Sequence, residues 1–128
     1  MSGKTSTRWK TVSLSMRRGE IHLASFPYGD APVMKLRPVL LLTGRVGAGN
    51  EIVVAYLSSV VPTALLGSDM LLDPSNSEHQ STRLKTVSVL RLHKVATIHT
   101  TSVKRYVGKI TATTQHAVDD KLRALLCL

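Results

Sequence analysis

The sequence predicts a mainly β fold: a small, twisted, partly closed barrel covered by one C-terminal α-helix. Hydrophobic residues make up 43% of the chain but aromatic ones only 4%, so the core must come from Val, Leu, Ile and Ala, whose runs suit a pleated surface. Those runs are short, bounded by Gly, Pro, Asn, Asp and Ser, and either alternate with period two or are apolar throughout. Only the segment after Thr113 changes to helical spacing. An open sheet of several short strands would leave its edges exposed, which is the reason to expect partial closure. A chain of 128 residues suffices for one such core.

The first 18 residues, rich in Ser, Thr and basic side chains and without a sustained period, read as a flexible basic extension, with residues 19–128 forming the domain. "EIHLASFP" alternates Ile21, Leu23 and Ser25 against His22, Ala24 and Phe26, a strand stopped by Pro27. "YGDAPVMKL" is a loop, with Gly29-Asp30 and Pro32 as its turn residues. "PVLLLTG" is apolar on both faces, as a central strand is, and Pro38 fits its first position. "RVGAGN" turns the chain into "EIVVAYLSS", giving a central hairpin. After a loop come a short strand "DMLLD", a polar loop "PSNSEHQS", two strands "LKTVSVLRL" and "KVATIHT", and a last short strand "RYVGKIT". Thr113 or Thr114 caps the helix, whose Val118, Leu122, Leu125 and Leu126 form the apolar face.

The formal charge is +9, and no Asp or Glu occurs between His79 and Val118, where seven Lys and Arg fall. A field of that sign attracts polyanions, and nucleic acid is the commonest one in a cell. The one cysteine, Cys127, allows no intramolecular disulfide and no paired-cysteine metal site, which suits a reducing compartment. The amino-terminal residues lack a continuous apolar run, and Ile52 to Leu66 falls short of the ~20 apolar residues a spanning helix needs. These features point to a cytoplasmic protein without a membrane segment. Five histidines fit no metal-binding spacing, the glycines of "GRVGAGN" lack the Lys-Ser/Thr pair of a phosphate loop, and no nucleophile elbow is present.

"RRGEIHLASFP", a loop into "LRPVLLL", then "IVVAYLSS", "TVSVLRLHKVATI", "VGKIT" and a capping helix resemble, in order and spacing, the MazF/PemK (Kid) family of toxin endoribonucleases. The similarity runs from about Arg18 to the end. It implies a barrel of SH3-like or plasmid-toxin type, a homodimer, and cleavage of single-stranded RNA with neither metal nor cofactor. It also implies a cognate antitoxin whose acidic C-terminal segment occupies the RNA groove. By this resemblance the catalytic residues are Arg37, Ser58, Arg91 and His93. Arg37 matches the family's Arg-Pro arginine. Ser58 stands where the family often has Thr. Arg91 matches a second arginine of the PemK/Kid branch, in which an Asp follows two residues later; here that position is His93. The expected RNA contacts are Lys35, Ser59, Arg83, Lys85 and Lys94.

These residue types suit the reaction. Without a metal, a planar, permanently charged guanidinium is the natural clamp for phosphate oxygens. A hydroxyl can hydrogen-bond the phosphate, and period-two spacing puts positions 91 and 93 on one strand face, where an imidazole could act as base near neutral pH. Ala96-Thr97 stands where the family commonly carries Arg-Thr, one positive charge fewer. Two other readings use the same barrel: a nucleic-acid-binding module that has lost catalysis, and a gyrase-inhibitor-like protein.

Overall fold

Six short runs of the chain are strands in the computed structural model, which describes residues 15–26 and 35–128. They are β1 (Glu20–Phe26), β2 (Lys35–Leu41), β3 (Glu51–Ser58), β4 (Asp69–Leu72), β5 (Ser88–His99) and β6 (Val103–Lys109), followed by helix α1 (Ala112–Leu126). All pair antiparallel in one sheet of order β4-β5-β3-β2-β1-β6, so the curl stops short of closure, with β4 and β6 as the two edges. Residues 1–14 and the expected loop with Asp30 lie outside the described residues.

Because successive residues point to opposite faces, the sheet buries two separate apolar sets. Ile21, Leu40, Ala55, Leu57, Leu72, Leu90 and Leu92 meet Ile110 and Val118 under the helix. Ala24, Phe26, Val39, Leu41, Ile52, Val54, Ile98 and Val103 form the other cluster, with Met16 packed against it. The β2–β3 turn is the expected hairpin, joined by a Val46↔Glu51 bridge, with Gly47 and Gly49 at φ of 64° and 89° where a side chain would strain the backbone.

Four details depart from the sequence reading. Residues 84–92 and 94–100 do not form two strands: β5 is one 12-residue strand from Ser88 to His99, bent where Tyr56 faces Arg91 but Ala55 faces Val95. The extra residues between them form a bulge that re-aims the strand without ending it. Residues 84–87, read as the start of a strand, are irregular, and they follow a short 3-10 turn, Ser77–Thr82, left through Arg83 at a φ of 55°. Strand β2 starts at Lys35, so Pro38 lies inside it, opposite Leu23, and the β2–β3 ladder begins only at the next residue, Val39. Finally, the helix is capped by Thr111, whose hydroxyl accepts from Thr114 N at 3.1 Å; Thr114 is itself buried in the first turn. Its apolar stripe is shorter than the spacing suggests, with Val118 enclosed but Leu125 and Leu126 40% and 59% exposed.

Arg18 and Gly19 fasten the start of β1 to the helix and to β2. Arg18 forms an ion pair with Asp119 and donates from Nε to Leu42 O at 3.2 Å, while Gly19 bridges Leu41 and Ile110 through its backbone. Among the described residues no helix is long and apolar enough to cross a membrane.

Candidate active site

Register determines which side chains meet. Paired residues of antiparallel strands share a face, and one row crosses most of the sheet: Asp69↔Arg91↔Tyr56↔Val39↔His22. Arg37 lies two residues before Val39 and therefore on the same face, opposite Ala24. Ser58 lies two residues after Tyr56, so the β2–β3 register, continued past its last bonded pair, brings it across from Arg37. Arg37, Tyr56, Ser58, Arg91 and Asp69 thus collect at one end of one face.

Asp69 is the buried hub of this group, only 3% exposed. Arg91 grips it with both arms of its guanidinium, Nε donating to Oδ1 at 2.9 Å and Nη2 to Oδ2 at 3.3 Å. Leu66 N donates to Oδ2 at 2.8 Å. Burial alone pushes the Asp69 carboxyl up, but the Arg91 hydrogen bond, the Leu66 amide and the nearby charges of Arg91 and His93 together hold it below the usual carboxylate range. His93 Nδ1 shares a hydrogen bond of 2.8 Å with Ser68 Oγ and lies 3.9 Å from Asp69 Oδ1, which leaves Nε2 as the nitrogen available to a ligand. One buried carboxylate therefore fixes Arg91 on this face, with His93 beside it.

Two aromatic rings complete the face. Phe26 and Tyr56 stack with centroids 6.2 Å apart and planes 11° from parallel, and Lys94 Nζ sits 5.6 Å from the centre of the Tyr56 ring. Arg37 is half-buried, with its Nε shielded from solvent. Ser58 is nearly buried, and its hydroxyl closes a turn, accepting from Val60 N at 3.1 Å and donating to Val60 O at 3.3 Å. Among the described residues no group of three or more His, Cys, Asp or Glu is placed to hold a metal.

This arrangement sits on a fold with known relatives. The family model for the PemK-like, MazF-like toxin of type II toxin-antitoxin systems matches residues 17–126. The chain belongs to that family. Among solved structures, the Mycobacterium tuberculosis toxin MazF-mt6 shares 24% identity and a TM-score of 0.66, over 85% of this chain and 97% of its own. A mycobacterial endoribonuclease in complex with its cognate antitoxin shares 18% identity and a TM-score of 0.63, covering 88% and 95% of the two chains. MazF from Deinococcus radiodurans shares 15% with a TM-score of 0.68, covering 91% and 100%. At these identities the likeness is one of fold. A search of curated proteins gives no match.

Within this MazF-like fold the residues expected from sequence divide into two groups. Arg37, Ser58, Arg91, His93 and Lys94 lie on the face just described, and exposed Lys35, opposite Phe26, extends it. Arg83, Lys85 and Ser59 do not join them: they line a separate groove with Leu23, Pro38 and Arg105 on the other face. Pro38 and Leu23 pair with each other, and both point away from Arg37. Asp69, Ser68 and Tyr56 are the members that the sequence reading left out. Asp69 opens the short strand read in "DMLLD", and only the β4–β5 register puts it beside Arg91.

Proposed function

We propose that this chain is the toxin of a type II toxin-antitoxin pair and cleaves single-stranded messenger RNA without a metal, turning the substrate's own 2′-hydroxyl on the adjacent phosphate. The observation that carries this is the convergence, on one face of a MazF-like sheet, of Arg37, Ser58 and an Arg91 held by a buried carboxylate, with His93 alongside. The phosphate sits against the planar guanidinium of Arg37 and the Nη1 that Arg91 does not spend on Asp69, and their charges stabilise the additional negative charge of the pentacoordinate state. His93 Nε2 takes the proton from the 2′-hydroxyl. The O2′–P bond forms as the P–O5′ bond breaks, leaving a 2′,3′-cyclic phosphate, and the departing 5′ oxygen takes a proton from water. Ser58 supports the phosphate by reorienting its hydroxyl out of the turn with Val60. The Tyr56 and Phe26 pair offers a face on which a base can stack.

The same reading assigns a homodimer in the cytoplasm, neutralised by an antitoxin whose acidic segment competes for this cationic face. Support comes from the net charge of +9 and from the fold shared with an endoribonuclease bound to its cognate antitoxin. The test is chemical. An RNA that is cut once should resist cutting when the nucleotide 5′ to the break carries 2′-deoxyribose, and the wild-type products should carry cyclic phosphate and 5′-hydroxyl ends. Cutting of the deoxy substrate would show that another nucleophile is used. A binding module that has lost catalysis draws on one observation, the Ser58 hydroxyl already engaged by Val60. Salt-sensitive RNA binding with no turnover would select that reading.

A further inference from the structure

We propose that the groove on the opposite face of the sheet is a second RNA subsite, one that takes the phosphate backbone of the strand flanking the cut; this rests on the substrate being single-stranded RNA. The groove has a volume of about 300 Å³, an apolar floor including Leu23, Pro38 and Val107, and a rim carrying Arg83, Lys85 and Arg105. No acidic residue lines it. None of its three cations forms an ion pair among the described residues, whereas Arg18, Arg91 and Arg123 each find an aspartate. Three exposed cations around an acid-free cleft suit a polyanion.

The rim is built into the fold and is not a chance gathering of surface lysines. The 77–82 turn that presents Arg83 is seated against β6: Ser81 Oγ donates to Lys109 O at 2.8 Å, and Thr82 is fully buried. Gly108 makes this seating possible, since a Cβ there would lie 2.3 Å from Thr82 O. Arg83 then leaves the turn in the left-handed region, at a φ of 55°, a conformation that persists in a non-glycine residue only where the surroundings enforce it. On the other bank, Arg105 is paired with Leu23 and so faces the groove.

Continuity with the cleavage site makes RNA the occupant. Arg37 and Pro38 are consecutive, as are Ser58 and Ser59, and in each pair the first residue belongs to the site face and the second to the groove. A strand held at Arg37 that rounds this end of β2 and β3 passes directly into the groove. There its phosphates meet the cations, and its sugars and bases meet the apolar floor.

The test compares binding of a short RNA covering only the cleavage site with the same RNA extended on the 5′ or the 3′ side, both fully 2′-O-methylated so that they cannot be cut. For the wild type, at least one extension should raise affinity and steepen the dependence on salt. In R83S/K85S/R105S the advantage of the extended RNA should disappear, with the salt slope smaller by about 2, since each phosphate contact to a single strand contributes about 0.7. R45S/R123S, which removes charge elsewhere, should keep the advantage. The proposal is overturned if the triple variant retains the advantage, if it weakens the short RNA as much as the long one, or if its only defect is in binding an acidic polypeptide or a second copy of the chain. Cutting of the unmodified RNAs is scored separately. A wild type that binds them but never cleaves them refutes the cleavage mechanism and leaves the comparison of binding intact.

Discussion

Two arginine–aspartate pairs, Arg91–Asp69 and Arg18–Asp119, have the same chemistry and different surroundings. In both, a two-armed guanidinium meets one carboxylate, a second donor joins (Leu66 N at 2.8 Å, Gln115 Nε2 at 3.0 Å), and burial pushes the carboxyl up while its partners bring it below the usual range. The arginine side chain is 20% exposed at Arg91 but 46% at Arg18, and the aspartate side chain 0% at Asp69 but 20% at Asp119. Water competes for the outer pair, so it serves as a clasp between the chain at Arg18 and α1. The inner pair has little such competition, and it orders a cation on the face that carries Arg37. Burial, more than chemical type, separates a fastening from a positioning device.

Several changes would break or sharpen that contrast. The largest effect is expected from Arg91→Ala. It should reduce kcat/KM for RNA by about 10²–10³-fold, the usual cost of deleting a preorganised donor to a developing charge. It should also lower stability by about 3–5 kcal/mol, because Asp69 is left buried without its partner; RNA digestion and urea unfolding read the two effects. Asp69→Asn, which keeps an acceptor for Leu66 N, should lower kcat by about tenfold while leaving KM nearly unchanged. If Asp69 acts by holding Arg91, the effect should vanish in the Arg91→Ala background, so a double-mutant cycle showing additive losses would contradict that role. Arg18→Ala should cost only about 0.5–1 kcal/mol, visible as a small drop in Tm with kcat intact.

The smallest effect concerns acid. A carboxyl depressed in the folded state adds stability above its unfolded pKa, near 3.8 for Asp69, and loses that contribution as pH falls through the lower folded value. Unfolding free energy should therefore decline below about pH 4 in the wild type. It should decline less steeply in Asp69→Asn and in Asp119→Asn. Equal acid sensitivity of the wild type and both variants would remove this linkage.

The strands could be read from sequence because period-two burial and turn residues are local signals, and β1, β3 and the β2–β3 hairpin follow them closely. The single bent β5 could not, since residues 92–94 look like an interruption unless the partner strand is known. Thr111 lost the capping role to Thr113 and Thr114 in the reading because capping depends on where β6 delivers the chain. The site was legible only in part for the same reason. Arg37, Ser58 and Arg91 could be placed by resemblance and position, but the role of Asp69 comes from the β4–β5 register and from burial that no local pattern encodes. Arg83 and Lys85 are separated from Arg37 because the irregular chain before β5 carries them to the groove lined by Leu23 and Pro38, a division invisible when the chain is read only as a basic stretch.

The central claim is that Arg37 clamps the reacting phosphate of an RNA cut without metal. The direct measurement is the single-turnover cleavage rate of a defined single-stranded RNA in excess EDTA, for the wild type and for Arg37→Ala shown by circular dichroism to remain folded. The account predicts full wild-type cleavage under chelation and a loss of about 10²–10³-fold in the variant. Cleavage that disappears with EDTA, or a folded variant that cuts at the wild-type rate, would contradict it.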